Sequence, residues 1–487
     1  MNKEKVSGKK FAGLVKDAAA NKTSADLIKN SASAREENLN ALSQAAETLE
    51  TTTGRKRLSM LFDDGVFTEI DAFAGSAGGF AEVAAGHGTV DGIGVYAFAQ
   101  NTDVSGGAMS RAQAAKIGKV YDLALKTGEP VVAMYDSVGG RLDEGTDLLA
   151  AYGDIMRRSN QLSGVVPQIS VVMGKCFGTQ ALIAACGDIV IVTAGAEMTI
   201  DPSGKDSDPV NAVTNGTAHL AAEDDAEAVS MVRNLIAILP QNNLSPACVA
   251  YDTISPQGEV DGDMSAFAVA QAVADEGSFV NLQSAFGQNA LTALATVNGT
   301  TVGLTALNGV EPDGDSCAKA ARFIRFCDSF SIPVVTLLDA ERFGCIKGAA
   351  QLAGAYAEAT CPKVTLITGA AFGSVYIAAA GTGAAADMIY AWPDAVVSAL
   401  TPEAAAVVML GDDLGGALKD SKDPKKDKAE FISRFTVTEL NAVKAAAAGY
   451  VDGIIEPART RETIISAVEM LCNKRVSTLP KKHCTFI

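Results

Sequence analysis

The chain contains two copies of one ordered series of features. A strand-turn-strand pattern with Asp91-Gly92 at its turn lies in the first half, and a second with Asn298-Gly299 lies in the second half. Asp-Gly and Asn-Gly between apolar runs are strong short-range signals for a β-hairpin. The repeat distance of about 200 residues is far longer than the roughly 20–50 residues of solenoid repeats. The sequence therefore predicts two tandem copies of one domain.

Each hairpin is followed by a helical stretch and then by two apolar strands that begin after a proline. These strands lie at residues 130–134 and 167–174 in the first copy, and at 333–338 and 362–369 in the second. Strands that alternate with helices indicate βαβ units, and hence parallel pairing with helical cover. The expected fold class is α/β, with two tandem domains from an internal duplication.

Changes in composition give the expected domain boundaries. Residues 1–54 are rich in Ala, Lys and Glu and predict an N-terminal helical arm. Residues 55–250 form the first predicted domain, 251–265 are a linker rich in Asp, Gly, Ser and Pro, and 266–487 form the second domain. A chain of 487 residues exceeds what one hydrophobic core usually supports, which agrees with two domains.

Two features of the second domain predict local structure near its end. The charge-dense stretch 419–428 contains a proline and predicts a solvated loop. Residues 437–449 and 460–472 predict amphipathic closing helices.

Charge and cysteine content exclude several classes of function. Lys and Arg total 40 against 57 Asp and Glu, a formal net charge of −17, so nucleic acid is not an expected partner. The nine cysteines have no C-x-x-C pair, so reduced thiols are expected and no metal site. Neither a signal peptide nor an apolar run of about 18 residues is found. We therefore expect a cytoplasmic protein, peripheral to a membrane only through a partner subunit.

Residues suited to side-chain catalysis are scarce. The three histidines, His87, His219 and His483, have no Ser or Cys nearby in a nucleophile context and form no H-E-x-x-H motif. No P-loop pattern occurs, and the glycines of residues 86–92 lack the G-x-G-x-x-G register. The remaining candidate is chemistry by main-chain groups.

Both copies end a buried strand in a turn of Phe, Gly and a hydroxyl residue. The turns are Phe177-Gly178-Thr179 and Phe372-Gly373-Ser374, each before a helix of small residues. Such a turn exposes main-chain N–H groups at a helix N-terminus, where the dipole favours negative charge. We expect the N–H of Gly178 to be one donor to an oxyanion, and residues 137–141 to supply a second. Two such donors are worth roughly 3–4 kcal/mol each in a transition state. The alternative is that these glycines only permit close helix–strand packing.

Several long segments carry a resemblance to one known family. They are residues 63–69, 96–100, 122–128, 162–170, 319–328, 356–360, 391–393 and 449–452. From about residue 55 onward, the sequence resembles the carboxyltransferase subunits of biotin-dependent acyl-CoA carboxylases and decarboxylases, in the crotonase superfamily. The resemblance is greatest to the methylmalonyl-CoA decarboxylase α and propionyl-CoA carboxylase β types.

The resemblance implies that each half is a crotonase-like ββα-spiral domain, the first binding acyl-CoA and the second biotin. Carried over by position, the implied catalytic residues are Gly140, Gly178, Thr179, Gly373 and Ser374. The implied acyl-CoA contacts are Gly139, Gly140, Arg141, Phe177, Gly178 and Thr179. The implied biotin contacts are Phe372, Gly373, Ser374 and Val375. The implied reaction is carboxyl transfer between a methylmalonyl-CoA or propionyl-CoA type substrate and biotin, through enolates held in two main-chain oxyanion holes.

The resemblance also implies partners. The chain has no Met-Lys-Met biotin-attachment motif and no ATP-binding module. Biotin is therefore expected on a separate carboxyl carrier protein, together with a biotin carboxylase or a membrane decarboxylase subunit, while coenzyme A enters as part of the substrate. The family forms trimer-based oligomers, usually hexamers, whose sites lie between the first half of one subunit and the second half of another.

Some positions depart from the family pattern and keep alternatives open. Thr179 stands where a second glycine is usual, residues 341–344 replace a Pro-Gly-Phe, and the stretch after Asp201 is short. An acetyl-CoA carboxylase carboxyltransferase and a non-catalytic structural paralogue are the alternatives. A crotonase-type hydratase needs a Glu after the first turn, where Gln180 and Ala181 stand.

Overall fold

The computed structural model describes residues 24–75, 82–201, 203–245, 254–309, 311–418 and 423–476. The first 23 residues of the predicted arm, residues 251–253 of the predicted linker and His483 lie outside the described residues. Within the described ranges, no helix is both long and apolar enough to cross a bilayer.

The first half contains one sheet of eight strands with helices around it. Its helices are α1 (Ser24–Glu50), α2 (Thr53–Leu61), α3 (Arg111–Thr127), α4 (Asp147–Leu162), α5 (Thr179–Ala185), α6 (Pro209–Thr214) and α7 (Asp225–Ile238). Its strands are β1 (Thr68–Glu69), β2 (Val83–Val90), β3 (Ile93–Gln100), β4 (Val131–Ser137), β5 (Gln168–Phe177), β6 (Ile189–Thr193), β7 (Glu197–Thr199) and β8 (Leu220–Ala222). The strand order is β1-β2-β3-β4-β5-β6-β8, with β7 pairing β5. Pairing is antiparallel from β1 to β3 and parallel beyond.

The second half repeats this topology strand by strand. Its helices are α8 (Ala266–Val273), α9 (Gly314–Ser329), α10 (Ile346–Glu358), α11 (Ser374–Ala379), α12 (Pro402–Leu418), α13 (Pro424–Glu439), α14 (Ala442–Ala447) and α15 (Thr460–Leu471). Its strands are β9 (Val280–Leu282), β10 (Ala290–Val297), β11 (Thr300–Gly309), β12 (Val334–Ala340), β13 (Lys363–Phe372), β14 (Met388–Ala391), β15 (Val396–Ser398) and β16 (Gly453–Ile454). The order β9-β10-β11-β12-β13-β14-β16, with β15 pairing β13, matches the first sheet. The expected α/β fold class with two tandem copies is confirmed.

Equivalent carboxylates brace the two hairpins. Asp63 accepts both N–H groups of the first hairpin turn at 3.0 Å, and Asp275 accepts those of the second at 2.8 and 2.7 Å. Each carboxylate also bonds an arginine from the last long helix of its half, Arg233 at 2.9 Å and Arg461 at 2.6 Å. The duplication therefore extends from strand order to individual polar contacts.

One hydrophobic cluster crosses from the first half into the second. It contains Val229 and Leu235 of α7 together with Leu294 of β10 and Phe323 of α9. The guanidinium of Arg322 in α9 adds polar contacts, because it donates to two first-half carbonyl oxygens at 3.1 Å. The two sheets are thus joined by a common core.

Two predictions near the C-terminal end are wrong. The predicted loop at 419–428 is helical at its end, since α13 begins at Pro424 with Asp423 as its N-cap; residues 419–422 lie outside the described residues. The predicted closing helix at 437–449 is broken, because α13 ends at Glu439 and α14 begins after the N-cap Asn441. Pro424 in the first turn and Asp423 at the N-cap mark the start of α13, and Asn441 at the N-cap marks that of α14. The predictions did not use these signals. The closing helix predicted at 460–472 is confirmed as α15.

The described part of the predicted linker packs on the second half. The N–H of Gln257 donates to the carbonyl of Ala274 at 2.7 Å, and that of Gly258 to Ala272 at 3.2 Å. Arg461 also donates to the carbonyl of Ile254 at 2.9 Å. These bonds fasten residues 254–258 to α8 and to α15.

Candidate active site

The first turn joins β5 to α5. Gly178 has φ 62° and ψ −130°, a conformation that side-chain-bearing residues rarely adopt, and a Cβ there would meet nothing within 4 Å. Thr179 follows as the exposed first residue of α5. Because the first N–H groups of a helix have no intrahelical partner, the N–H of Thr179 is available to a ligand.

The donor role expected for the N–H of Gly178 is wrong. That N–H donates to the carbonyl of Thr199 in β7 at 2.8 Å. The sequence-based reasoning did not identify Thr199, because β7 is only three residues long and carries no pattern that predicts its pairing. Gly178 instead supplies the backbone angle that aims the next N–H outward.

The second arm of this site begins at the end of β4. Ser137 pairs with Cys176 across the parallel strands β4 and β5, so the segments that follow them emerge at one sheet edge. Gly139 has φ 123°, and its N–H donates to Ser137 Oγ at 3.1 Å. Gly140 forms a parallel bridge with Met109, in which the bonds run through the residues on either side of it. The N–H of Gly140 therefore points away from Met109.

Arg141 anchors this arm to the core. Its Nη1 donates to the buried carboxylate of Glu82 at 3.1 Å, and its Nε donates to Asp143 at 3.1 Å. Glu82 also accepts from Ser110 Oγ at 2.6 Å. Two carboxylates thus hold the guanidinium that was carried over as an acyl-CoA contact.

The second turn joins β13 to α11. Gly373 has φ 46° and ψ −114°, and its N–H donates to the carbonyl of Ser398 at 2.9 Å. The exposed Ser374 is the first residue of α11, so its N–H is the available one here. Phe372 and Val375 flank the turn and are buried.

A cavity of about 450 Å³ opens beside Gly373. Its walls include Tyr376, Ile377, Val397, Ala399 and Tyr450, with the ion-paired Glu439 and Lys444 also lining it. The hydroxyl of Tyr376 donates to the carbonyl of Tyr450 at 2.6 Å, which ties α11 to the segment after α14. The cavity suits a compact, mostly apolar ligand with one polar group near the turn.

Of the two described histidines, one is buried and one is exposed. His219 is 5% exposed, and its Nδ1 accepts the N–H of Val190 at 3.0 Å. Burial holds the pKa of His219 well below its usual value, so the ring is neutral. His87 is exposed on β2 beside Tyr96, with ring centroids 5.7 Å apart.

Comparison with known proteins defines the class of this chain. The carboxyl transferase domain family matches residues 50–486. The chain therefore belongs to the carboxyl transferase family and is a carboxyltransferase, which confirms the resemblance drawn from its sequence.

The relatives narrow the class further. Methylmalonyl-CoA decarboxylase subunit alpha of Propionigenium modestum is 35% identical, over 88% of this chain and 92% of that protein. The carboxyltransferase subunit of propionyl-CoA carboxylase from Haloferax mediterranei is 35% identical over the same shares of 88% and 92%. The solved structure of transcarboxylase 12S, a hexamer described with methylmalonyl-coenzyme A and methylmalonic acid bound, matches with a TM-score of 0.83. It is 31% identical and covers 93% of this chain and 99% of that one.

Proposed function

We propose that the protein transfers a carboxyl group between an acyl-CoA of the methylmalonyl-CoA or propionyl-CoA type and biotin on a separate carrier protein. The main support is the pair of equivalent turns, each of which ends a central strand and presents a free N–H at the next residue, Thr179 or Ser374. The substrates named for the relatives agree with this pairing.

The first-half site holds the acyl-CoA in this proposal. Removing the carboxyl group from the thioester leaves negative charge on the thioester oxygen. The N–H groups of Thr179 and Gly140 stabilise that charge, and donors of this kind are worth roughly 3–4 kcal/mol each. Gly139, Arg141, Phe177 and Gly178 shape the site around them.

The second-half site holds the biotin ring. When bound there, biotin supplies the ureido nitrogen that accepts or delivers the carboxyl group. The cavity of about 450 Å³ beside Gly373 is large enough for a fused bicyclic ring and has mostly apolar walls. The N–H groups of Ser374 and Val375 would hold the ureido oxygen, and the buried Phe372 packs beneath the turn. The α-carbon and the ureido nitrogen would exchange a carboxyl group for a proton, so no side chain has to supply or remove that proton, which agrees with the buried, hydrogen-bonded position of His219.

Assembly of two chains completes each site in this proposal. Leu182 and Ile377 lie four residues after Gly178 and Gly373, and they are 51% and 65% exposed. Apolar side chains beside both turns indicate surfaces that a second subunit covers. We therefore propose a trimer-based hexamer in which the first half of one chain faces the second half of another, as the hexamer of transcarboxylase 12S suggests.

The first test removes the proposed donors one at a time. Proline is tolerated at the first position of a helix and lacks an N–H, so Thr179→Pro and Ser374→Pro delete the donors while α5 and α11 can still form. Transfer from methylmalonyl-CoA to free biotin should fall at least about 10²-fold in each variant. The controls Thr179→Ala and Ser374→Ala keep the N–H and should stay within a few-fold of wild type.

Other outcomes separate the alternatives. Full activity in a correctly assembled Thr179→Pro protein would exclude the first-half oxyanion hole. Transfer from malonyl-CoA alone would favour the acetyl-CoA carboxylase type, and no transfer from any acyl-CoA would favour the non-catalytic paralogue.

A mixing experiment tests the assembly. Thr179→Pro and Ser374→Pro chains are dissociated, combined and reassembled. If the sites span two subunits, some mixed sites contain two intact turns and activity returns. Mixed hexamers that remain inactive would show that each chain works alone.

A further inference from the structure

Three buried glutamine side chains form a hydrogen-bonded chain beneath the first turn. Gln100 ends β3, Gln113 lies in the first turn of α3, and Gln180 is the second residue of α5. All three are 0% exposed. An amide oxygen accepts and an amide nitrogen donates, so the direction of each hydrogen bond follows from its partners; Gln180 Oε1 is buried and has no partner among the described residues.

Main-chain groups fix the orientation of the Gln113 and Gln100 amides, and Gln100 then fixes that of Gln180. Gln113 Nε2 donates to the carbonyl oxygens of Glu82, Gly107 and Ala108 at 3.1, 3.1 and 3.3 Å. Its Oε1 is therefore left to accept from Gln100 Nε2, at 3.0 Å. That bond in turn directs Gln100 Oε1 toward the turn.

The oxygen of Gln100 holds both arms of the first-half site. It accepts the N–H of Asp136 at 2.8 Å and also accepts from Gln180 Nε2. Asp136 immediately precedes residues 137–141, which contain Gly140, while Gln180 immediately follows Thr179. One acceptor atom thus ties together the two segments that carry the proposed oxyanion donors.

The second half builds the same topology without this network. Gln100 pairs with Val83 at the end of the first hairpin, and Leu307 pairs with Ala290 at the equivalent place. Val375 lies two residues after Gly373, as Gln180 does after Gly178. Leu307 and Val375 are 0% exposed and belong to one hydrophobic cluster.

This difference indicates that the glutamine network is not required for the fold. Burying polar amides costs free energy unless every bond is made, and here Gln180 Oε1 has no partner among the described residues. The apolar equivalents in the second half satisfy the same topology without that cost. Apolar packing is not directional, whereas a hydrogen bond fixes distance and angle. The polar version therefore serves the first-half site.

We propose that Gln100 is a positioning residue for carboxyl transfer, which sets the spacing of the Gly140 and Thr179 donors through Asp136 and Gln180. The inference rests on the function proposed above, because the two arms are the proposed acyl-CoA site.

The test converts the first-half network into its second-half counterpart. The variant Gln100→Leu with Gln180→Val copies the apolar pair Leu307 and Val375. Because a displacement of about 1 Å can cost 10²-fold in rate, kcat for transfer from methylmalonyl-CoA to free biotin should fall about 10- to 100-fold. The KM for biotin should not change, since the second-half cavity is untouched.

Two further variants separate positioning from stability. Protonated Gln100→Glu is isosteric: its O–H donates to Gln113 Oε1 while its other oxygen accepts from both arms, so kcat should stay within about threefold of wild type at a pH where this buried carboxyl is protonated. Tyr356→Phe removes a buried hydrogen bond of 2.6 Å to Thr336, which lies in the second half and in neither first-half arm, and should lower stability without lowering kcat. Equal losses of kcat in Tyr356→Phe and in the double variant would overturn the proposal, as would a rise in the KM for biotin that matches the fall in kcat.

Amide hydrogen exchange gives a readout that needs no activity. In the double variant, exchange should rise in residues 137–141 and 178–182 together, and residues 373–377 should stay as in wild type. An unchanged rate in either arm would overturn the coupling by Gln100. A wild-type protein without transfer activity would reject the proposed function, while the exchange rates would still decide whether Gln100 joins the two arms.

Discussion

The two halves hold equivalent strand ends in different ways. In each half a carboxylate next to the end of the fourth strand, Asp136 or Asp339, bonds the main chain of the neighbouring strand, at 3.2 and 2.8 Å. Each carboxylate also requires a glycine opposite, since a Cβ on Gly174 or Gly369 would lie 2.2 Å from its Oδ1.

Only the first of these carboxylates has a cationic partner among the described residues. Arg57 donates to Asp136 and to Asp225, each at 2.8 Å. Together with the glutamine chain, this ion pair makes the support of the first site polar, whereas Leu307 and Val375 make the support of the second site apolar. The two halves therefore share the topology that forms the turn, but the side chains that support the turn are polar in the first half and apolar in the second.

The largest expected effect comes from breaking the ion pair that only the first half has. Arg57→Ala leaves Asp136 and Asp225 without their cation. Losing one partner of a fully buried pair costs about 3–5 kcal/mol, and we expect about 2–3 kcal/mol here because water reaches these carboxylates, which are 17% and 35% exposed. Denaturant unfolding should show this loss, whereas Asp339→Asn should cost about 1 kcal/mol, because it only weakens one hydrogen bond. Equal losses in the two variants would show that the halves do not differ here.

When alanine replaces the two turn glycines, the larger loss of stability is expected in the second half instead of the first. Both glycines have positive φ, which costs an alanine about 1–2 kcal/mol. A Cβ at Gly373 would also lie 2.9 Å from the carbonyl oxygen of Ala399, while a Cβ at Gly178 meets nothing within 4 Å. Overpacking adds about 1–3 kcal/mol, so Gly373→Ala should unfold at lower denaturant than Gly178→Ala. The reverse order would contradict the described packing.

The pH dependence of stability should reveal the contribution of His219, whose equivalent in the second half is Asp452. Asp452 accepts the N–H of Ile389 at 2.7 Å, just as His219 accepts that of Val190. Because the pKa of His219 is lowered by burial, the unfolded state binds more protons below pH about 6.5. The histidine therefore costs stability as pH falls, whereas the raised pKa of nearby Asp188, about 6, has the opposite sign.

His219→Asn isolates the histidine contribution. The variant should lose less stability than wild type between pH about 6.5 and 5, as measured by unfolding at a series of pH values. Its turnover should stay within a few-fold of wild type. A parallel pH dependence in both proteins would show that burial does not lower the pKa of His219.

The smallest effect is expected at His87. Its side chain is exposed, and its one described ring contact is with Tyr96. His87→Ala should change stability by no more than about 0.5 kcal/mol and leave turnover unchanged. A specific loss of turnover in the folded variant would bring a side-chain base back into the mechanism.

Local patterns were sufficient to predict the hairpins and the fold class. Asp91 and Gly92 have φ of 50° and 80°, and Asn298 and Gly299 have φ of 50° and 73°, the pairs of positive values that a type I′ turn needs. Asp-Gly and Asn-Gly pairs favour these backbone angles, so the turns could be predicted from residue type alone. The turn glycines were predicted on different grounds, as strand-to-helix turns of small residues that expose main-chain N–H groups.

The contacts of the site could not be predicted, because they join distant parts of the chain. Gln100 and Gln180 are 80 residues apart in sequence, and although Gln100 ends the family-like segment 96–100, nothing in that segment indicates the contact. The bond that occupies the N–H of Gly178 depends on the placement of β7. Only the register of the folded sheet shows that Thr179, and not Gly178, offers the free donor.

The shared core between the halves has a kinetic consequence. Moving one sheet relative to the other would expose Leu235, Leu294 and Phe323, which are buried in one cluster, and each exposed side chain of this size costs about 1.5–3 kcal/mol. The separation of the two turns within a chain is therefore constant. Each proposed site joins turns of two chains whose halves do not move relative to each other. The rate at which biotin reaches a site then depends on the effective concentration of the tethered biotin, which the length and stiffness of the carrier's linker determine.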